Sequence, residues 1–163
     1  MFKIDIHTHI LPENLNDLTN SFSDPRFLRM DIIDNQAAML KKDGAVFRKV
    51  DCNCWNHQKR IQECDSTSVD VQVLSTIPVL FSYWAKDDEG FTLSKYLNNH
   101  IAEVVRDEPN RFIGLGTIPM QDADLAIEEM DRIVNELKFP GIEIGSNVNG
   151  ENLSDEKFHP IFE

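Results

Sequence analysis

Asp5-Ile6-His7-Thr8-His9 is the segment best equipped for chemistry. Two imidazoles separated by one residue share a face only in extended backbone, where side chains alternate between two sides. In that geometry Asp5, His7 and His9 point one way, and Ile4, Ile6 and Ile10 point the other. Neutral imidazoles suit borderline divalent cations, so His7 and His9 are candidate metal ligands. Zn²⁺ is the natural ion for such a nitrogen-rich pair, with oxygen ligands completing the site. The plainer reading is two ordinary histidines hydrogen-bonded to loop carbonyls. Polar side chains aimed into a packed interior need partners, since each one left unpaired costs about 1–3 kcal/mol. Asp5 either orients a ligand or accepts a backbone hydrogen bond.

Other reactive side chains have blander contexts. Cys52, Cys54 and Cys64 are odd in number and form no Cys-x-x-Cys pair, which fits free structural thiols in a reducing compartment, the cytosol. His57 and His100 fall at helical positions and read as solvent-facing or capping groups. Tyr83-Trp84 reads as either a pocket wall or core packing.

The elements that must hold these residues are four short β-like runs, Lys3–His7, Val71–Thr76, Phe112–Thr117 and Gly141–Gly145. Helical patterns separate them. Leu93, Tyr96, Leu97, Ile101, Val104 and Val105 recur at three and four residues until Pro109 stops the run. Leu125, Ala126, Met130, Ile133, Val134 and Leu137 repeat the pattern after Asp122 or Asp124 as N-cap. Asn56 caps a shorter helix, and another begins near Ser154 or Asp155. Four successive βα units imply α/β architecture with parallel strands, about half of a TIM-type barrel that needs roughly 250 residues when complete. A doubly wound sheet is the alternative. Residues 10–55 form an insertion too long for an ordinary βα loop of about 2–6 residues. The sequence predicts a short helix over Ile32–Lys42 there, then an Asp43-Gly44 hairpin turn into a strand over Val46–Val50. After a first strand, such an insertion lies at the face where barrel active sites form and serves as a lid. The last residues look helical and lack a stop signal, so the reading is a truncated chain, 1–163 forming the N-terminal half of the barrel.

Sixteen Lys and Arg against 28 Asp and Glu give a formal charge of −12. That balance argues against a nucleic-acid partner or an anionic membrane surface, either of which needs a basic face. No basic-then-apolar leader opens the chain, and the most apolar stretch, 71–85, is interrupted by polar residues and Pro78.

Lys3-Ile4-Asp5-Ile6-His7-Thr8-His9-Ile10-Leu11-Pro12 resembles the opening of the decarboxylating branch of the amidohydrolase superfamily. Further similar blocks are Lys42–Arg48, Asn53-Cys54-Trp55, Val71–Val79, Phe81–Lys86, Arg111–Gln121 and Phe139–Gly145. The likeness runs nearly end to end here but covers only the N-terminal half of such enzymes. It implies non-oxidative, metal-dependent decarboxylation of a small dicarboxylate, without redox or an organic cofactor. By the same resemblance His7 and His9 match the zinc pair, Arg48 matches an arginine that binds a substrate carboxylate, and Phe47 lines the pocket. A guanidinium offers a carboxylate two parallel donors, which a lysine does not. The catalytic histidine and the remaining metal ligands, a His and an Asp, are expected beyond Glu163, so the isolated chain is expected to be inactive. His159 is no substitute. A homodimer is also implied. A metal-dependent hydrolase and a non-catalytic half-barrel remain the alternatives.

Overall fold

The computed structural model describes residues 1–163. A parallel sheet is built from β1 (Ile4–His9), β5 (Val71–Ser75) and β6 (Phe112–Gly114), in the spatial order β1-β5-β6. The expected fourth strand over Gly141–Gly145 is reduced to one parallel bridge between Gly116 and Ile142. Two backbone bonds hold it, Gly116 N–H to the Gly141 carbonyl (3.0 Å) and Glu143 N–H to the Gly116 carbonyl (2.8 Å). Glycine at 116 also lets the covering helix close on this strand, because a Cβ there would lie 2.5 Å from Ile133.

Helices α2 (His57–Thr67), α3 (Asp87–Asp107) and α4 (Ala123–Asn135) follow β1, β5 and β6 in turn. Asn56 accepts the Lys59 N–H at 3.0 Å and Asp122 accepts the Leu125 N–H at 2.9 Å, so both caps lie where the sequence puts them. The helix expected near Ser154 starts as a 3₁₀ turn, Glu156–Phe158, that leads into the short α5 (His159–Phe162). Before it lies a small hairpin, β7 (Asn147–Val148) and β8 (Glu151–Asn152). Asn149 and Gly150, both at positive φ, turn it.

The insertion departs most from expectation. Ile32–Lys42 is not helical. Instead β2 (Arg29–Ile32), β3 (Ala37–Lys42) and β4 (Ala45–Asp51) form an antiparallel meander, preceded by the short α1 (Leu15–Thr19). The Asp34 carboxylate accepts the N–H groups of Gln36 and Ala37 at 2.7 and 2.9 Å, which bends the chain into a turn where a helix would have run on. Asp43 (φ +54°) and Gly44 (φ +72°) make the two-residue turn that their sequence signals.

Two apolar clusters result. One packs the parallel sheet against α3 and α4 through Leu74, Ile101, Phe112, Ile118 and Ile133. The other fills the insertion with Leu15, Phe27, Leu28, Met30 and Leu40, and shares Leu93 and Leu97 of α3. The insertion is therefore a packed layer with its own core. Ile10 is buried as the alternation demands, but Ile4 and Ile6 are 49% and 75% exposed. β1 ends the sheet and has a partner only in β5, which leaves those two side chains uncovered.

Candidate active site

The site forms where β1 ends. Between Asp5 and Thr8 the β1–β5 register slips, with Asp5 opposite Gln72 and Thr8 opposite Leu74. A bulge of this kind bends the strand and re-aims side chains. Thr8 Oγ1 donates to the Val73 carbonyl (2.7 Å), which ties down the strand beyond the slip. His7 and His9 converge, their rings edge to face with centroids 5.0 Å apart. The His9 Nδ1 meets Ser75 Oγ at 3.0 Å.

A third group joins them that the sequence reading had only as part of a strand. Glu143, on the bridge segment, places a carboxylate oxygen 3.8 Å from His9 Nδ1. Donor atoms of His7, His9 and Glu143 all lie within 4.8 Å of one another. Glu143 Oε2 is buried and has no hydrogen-bond partner. An unpaired buried carboxylate oxygen facing two imidazoles is the donor set a divalent cation satisfies, so these residues fit a metal. An acidic residue at 143, between Ile142 and Ile144 on an apolar strand, was the available signal.

Arg60 of α2 fixes this strand end from behind. Its guanidinium is buried and donates to the carbonyls of His9 (2.6 Å) and Asn53 (2.8 Å), and to Gln72 Oε1 (3.4 Å). Gln72 in turn donates to Asp5 (3.3 Å), whose other oxygen accepts the His7 N–H (3.4 Å). Of its two expected roles, Asp5 thus takes the backbone-accepting one.

Phe47 and Arg48 reach the same space. Strand neighbours ordinarily face opposite ways, but β4 carries a bulge. Leu40 pairs with Arg48 while Lys41 pairs with Val46, leaving Phe47 as the extra residue. His7, His9, Phe47 and Arg48 line one cavity of about 590 Å³, closed by Leu11, Leu40, Val50, Cys54, Ile77, Pro78 and Val79. Arg48 forms no ion pair with Asp51 or any other acid.

The remaining candidates stand apart from the His7–His9–Glu143 cluster, although Cys54 lines the cavity. Burial pushes the Cys54 and Cys64 thiols up, which makes them poor thiolate ligands, and no cysteine belongs to the metal-competent cluster. Tyr83 is core: it stacks on Phe81 and its hydroxyl accepts the Gly145 N–H at 3.0 Å. It also lines a second cavity with Trp84 and Glu143. His100 does not face solvent as expected; its Nε2 is buried without a partner, and burial pulls its pKa down to about 4. His159 Nε2 lies 3.1 Å from the Ser154 carbonyl, away from the cavity. No helix is long and apolar enough to cross a membrane.

Comparison with known proteins identifies the family and the fold. The chain is 50% identical over 161 residues to the 2-amino-3-carboxymuconate-6-semialdehyde decarboxylase of Dictyostelium discoideum, and 33% identical over 180 residues to that of Caenorhabditis elegans. These alignments take in 99% and 98% of the chain but 45% of each relative, so it spans about half their length. Among solved structures, 5-carboxyvanillate decarboxylase from Novosphingobium aromaticivorans, complexed with manganese and a nitrobenzoic acid, superposes with a TM-score of 0.74. It shares 22% identity, over 99% of this chain and 46% of that one, which supports the partial-barrel fold. With the amidohydrolase family model matching residues 4–163, the chain belongs to the amidohydrolase family.

Proposed function

We propose that this chain is the N-terminal half-barrel, with its 10–55 lid, of a metal-dependent decarboxylase acting on 2-amino-3-carboxymuconate-6-semialdehyde in tryptophan–kynurenine degradation. The observation that carries the reading is one cavity that holds both the histidine pair and an unpaired arginine. Its volume lies within the range of roughly 300–1,000 Å³ typical of small-molecule sites. His7 and His9 hold the divalent cation, Zn²⁺ on this donor set. When bound, the cation supplies Lewis-acid polarisation and lowers the pKa of water.

The chain's own residues do the rest. Arg48 grips one carboxylate of the dicarboxylate through two parallel hydrogen bonds, a local positive centre in a protein of net charge −12. Phe47 packs against the substrate's flat conjugated carbon skeleton. Leu11, Leu40, Val50, Ile77 and Val79 make the wall apolar, which disfavours the charged carboxylate relative to neutral CO₂. His57, His100 and His159 lie outside this cavity, so the group that delivers a proton to the carbon left behind as CO₂ departs is assigned to the part of the relatives beyond this chain. The 163 residues alone then bind but turn over little. The protein works as a homodimer in the cytosol, where Cys52, Cys54 and Cys64 remain free thiols.

The test separates the two halves of the site. Arg48→Ala should lower affinity for the dicarboxylate at least tenfold and leave bound metal unchanged. His9→Ala should lose the metal. Calorimetry and metal analysis that gave both variants one phenotype would sink this division of labour. In the full-length protein, ultraviolet decay of the semialdehyde with CO₂ release, and no hydrolysis of amides or lactones, is the expected activity.

A further inference from the structure

We infer that Glu143 is a third protein ligand, so that these 163 residues carry by themselves a two-histidine, one-carboxylate face for a divalent cation. The inference rests on the reading of His7 and His9 as ligands and adds a residue from a different strand.

Four observations carry it. First, bonds of about 2.0–2.2 Å around a tetrahedral ion put neighbouring donors about 3.4 Å apart. Glu143 Oε2 and His9 Nδ1 stand at 3.8 Å, and all three donors lie within 4.8 Å, before any cation draws them in. Ser75 Oγ, which occupies His9 Nδ1 at 3.0 Å, also reaches the Thr8 carbonyl at 3.2 Å and so has a partner if displaced. Second, Glu143 Oε2 is buried and receives no hydrogen bond. Buried carboxylate oxygens are paired as a rule, and no lysine or arginine pairs with this one. Third, the backbone on either side is fixed, by Glu143 N–H to Gly116 (2.8 Å) and Gly145 N–H to the Tyr83 hydroxyl (3.0 Å). A carboxylate on such a support is presented without a large loss of loop entropy. Fourth, two neutral imidazoles and one carboxylate reduce a divalent charge to a net +1. His7 and His9 share their cavity with Arg48, so that remainder would add to the arginine's pull on an anionic substrate.

On this inference the metal has three ligands within these 163 residues, ahead of the His and Asp expected beyond Glu163. Three ligands on one side leave the opposite positions open, as a catalytic site requires.

The experiment titrates the metal-stripped 163-residue chain with Co²⁺ and Zn²⁺, followed by visible absorption and calorimetry. The expected result is one equivalent bound. Glu143→Gln should weaken affinity at least tenfold and alter the Co²⁺ spectrum, Glu143→Asp should lie between, and the exposed control Glu128→Gln should match the parent. Circular dichroism checks each fold. Should Glu143→Gln fail to fold, Mn²⁺ broadening of the Glu143 carboxylate resonance in the unmutated chain decides the matter. Unchanged affinity in Glu143→Gln, or an unbroadened resonance, overturns the inference. Loss of binding in His9→Ala within the same series would then leave the histidine pair standing. No binding by the parent chain overturns the inference and leaves the histidine pair to be tested by metal analysis of His9→Ala in the full-length protein.

Discussion

A guanidinium buried among carbonyls, with no carboxylate in contact, is held at a cost that only its geometry explains. Arg60 gives up most of its hydration, and burial drives its pKa below the ordinary value against the pull of nearby Cys54, Cys64, Glu63 and Asp5. In return one side chain spans two chain segments that must agree, the His9 end of β1 and Asn53 at the foot of the insertion that carries Arg48. The bulge deprives β1 of regular ladder bonding near His7, and the Arg60–Gln72–Asp5 chain replaces it. Arg60 is thus a positioning residue for the imidazole pair. Arg60→Met, which keeps the stem and removes the donors, should reduce metal affinity by about tenfold, the lower end of what outer partners of metal ligands contribute. Arg60→Lys should restore part of it. Competition against a chromophoric chelator measures both, and parent-like affinity in Arg60→Met would show that β1 holds its shape unaided.

At the scale of elements, the insertion behaves as a second structural layer and not as a loop. Leu40 is 1% exposed, pairs with Arg48 across the meander, and lines the cavity. Leu40→Ala should cost about 2–4 kcal/mol in urea unfolding, the usual penalty for a buried leucine that leaves a void. It should also raise the dissociation constant for the dicarboxylate, because the same void loosens the strand beneath Arg48. Normal ligand affinity at reduced stability would detach the meander from the site. The sequence disclosed much of this framework. Period-two and period-three-to-four patterns located β1, β5, β6, α2, α3 and α4, and Asp43-Gly44 announced its hairpin. It hid the rest for physical reasons. Ala37-Ala38-Met39-Leu40-Lys41-Lys42 is rich in good helix formers, yet pairing on both sides and the Asp34 turn override that preference. Asn149-Gly150 is an equally plain hairpin signal, and both residues take positive φ. Glu143 shows in the sequence only as an acid within an apolar run, because its meaning depends on partners more than 130 positions away, and Phe47 and Arg48 share a cavity only because of a bulge that no alternation pattern encodes.

For the molecule as a whole, α3 is the common wall of both cores, with Leu93 and Leu97 in the insertion cluster and Ile101 and Val104 in the barrel cluster. His100 lies between those two sets, in a depression lined also by Glu13, Asn14, Trp55, His57, Glu103 and Asp107, where the insertion leaves and rejoins the barrel. Three carboxylates nearby would favour an imidazolium. Burial dominates, with His57 adding repulsion and a backbone bond at Leu11 opposing, and the pKa falls from 6.5 to about 4. The direction of linkage follows. Above pH 6.5 both folded and unfolded chains keep His100 neutral, and it contributes nothing to the pH dependence. As pH falls from 6.5 toward about 4, the unfolded chain takes up a proton that the folded chain refuses, so stability declines, by at most about 3 kcal/mol in all. Asp24, which hydrogen bonds from Arg26 hold down to about 2, gives up its stabilising contribution only as pH drops below about 4 toward 2, beneath the His100 window. Urea unfolding of the parent and of His100→Gln at pH 7 and pH 5 isolates the effect, since every other titrating group is common to both proteins. The parent should lose more stability than the variant on acidification. Equal losses would mean that the junction admits a charged imidazole, and that the two cores part there more readily than their shared helix implies.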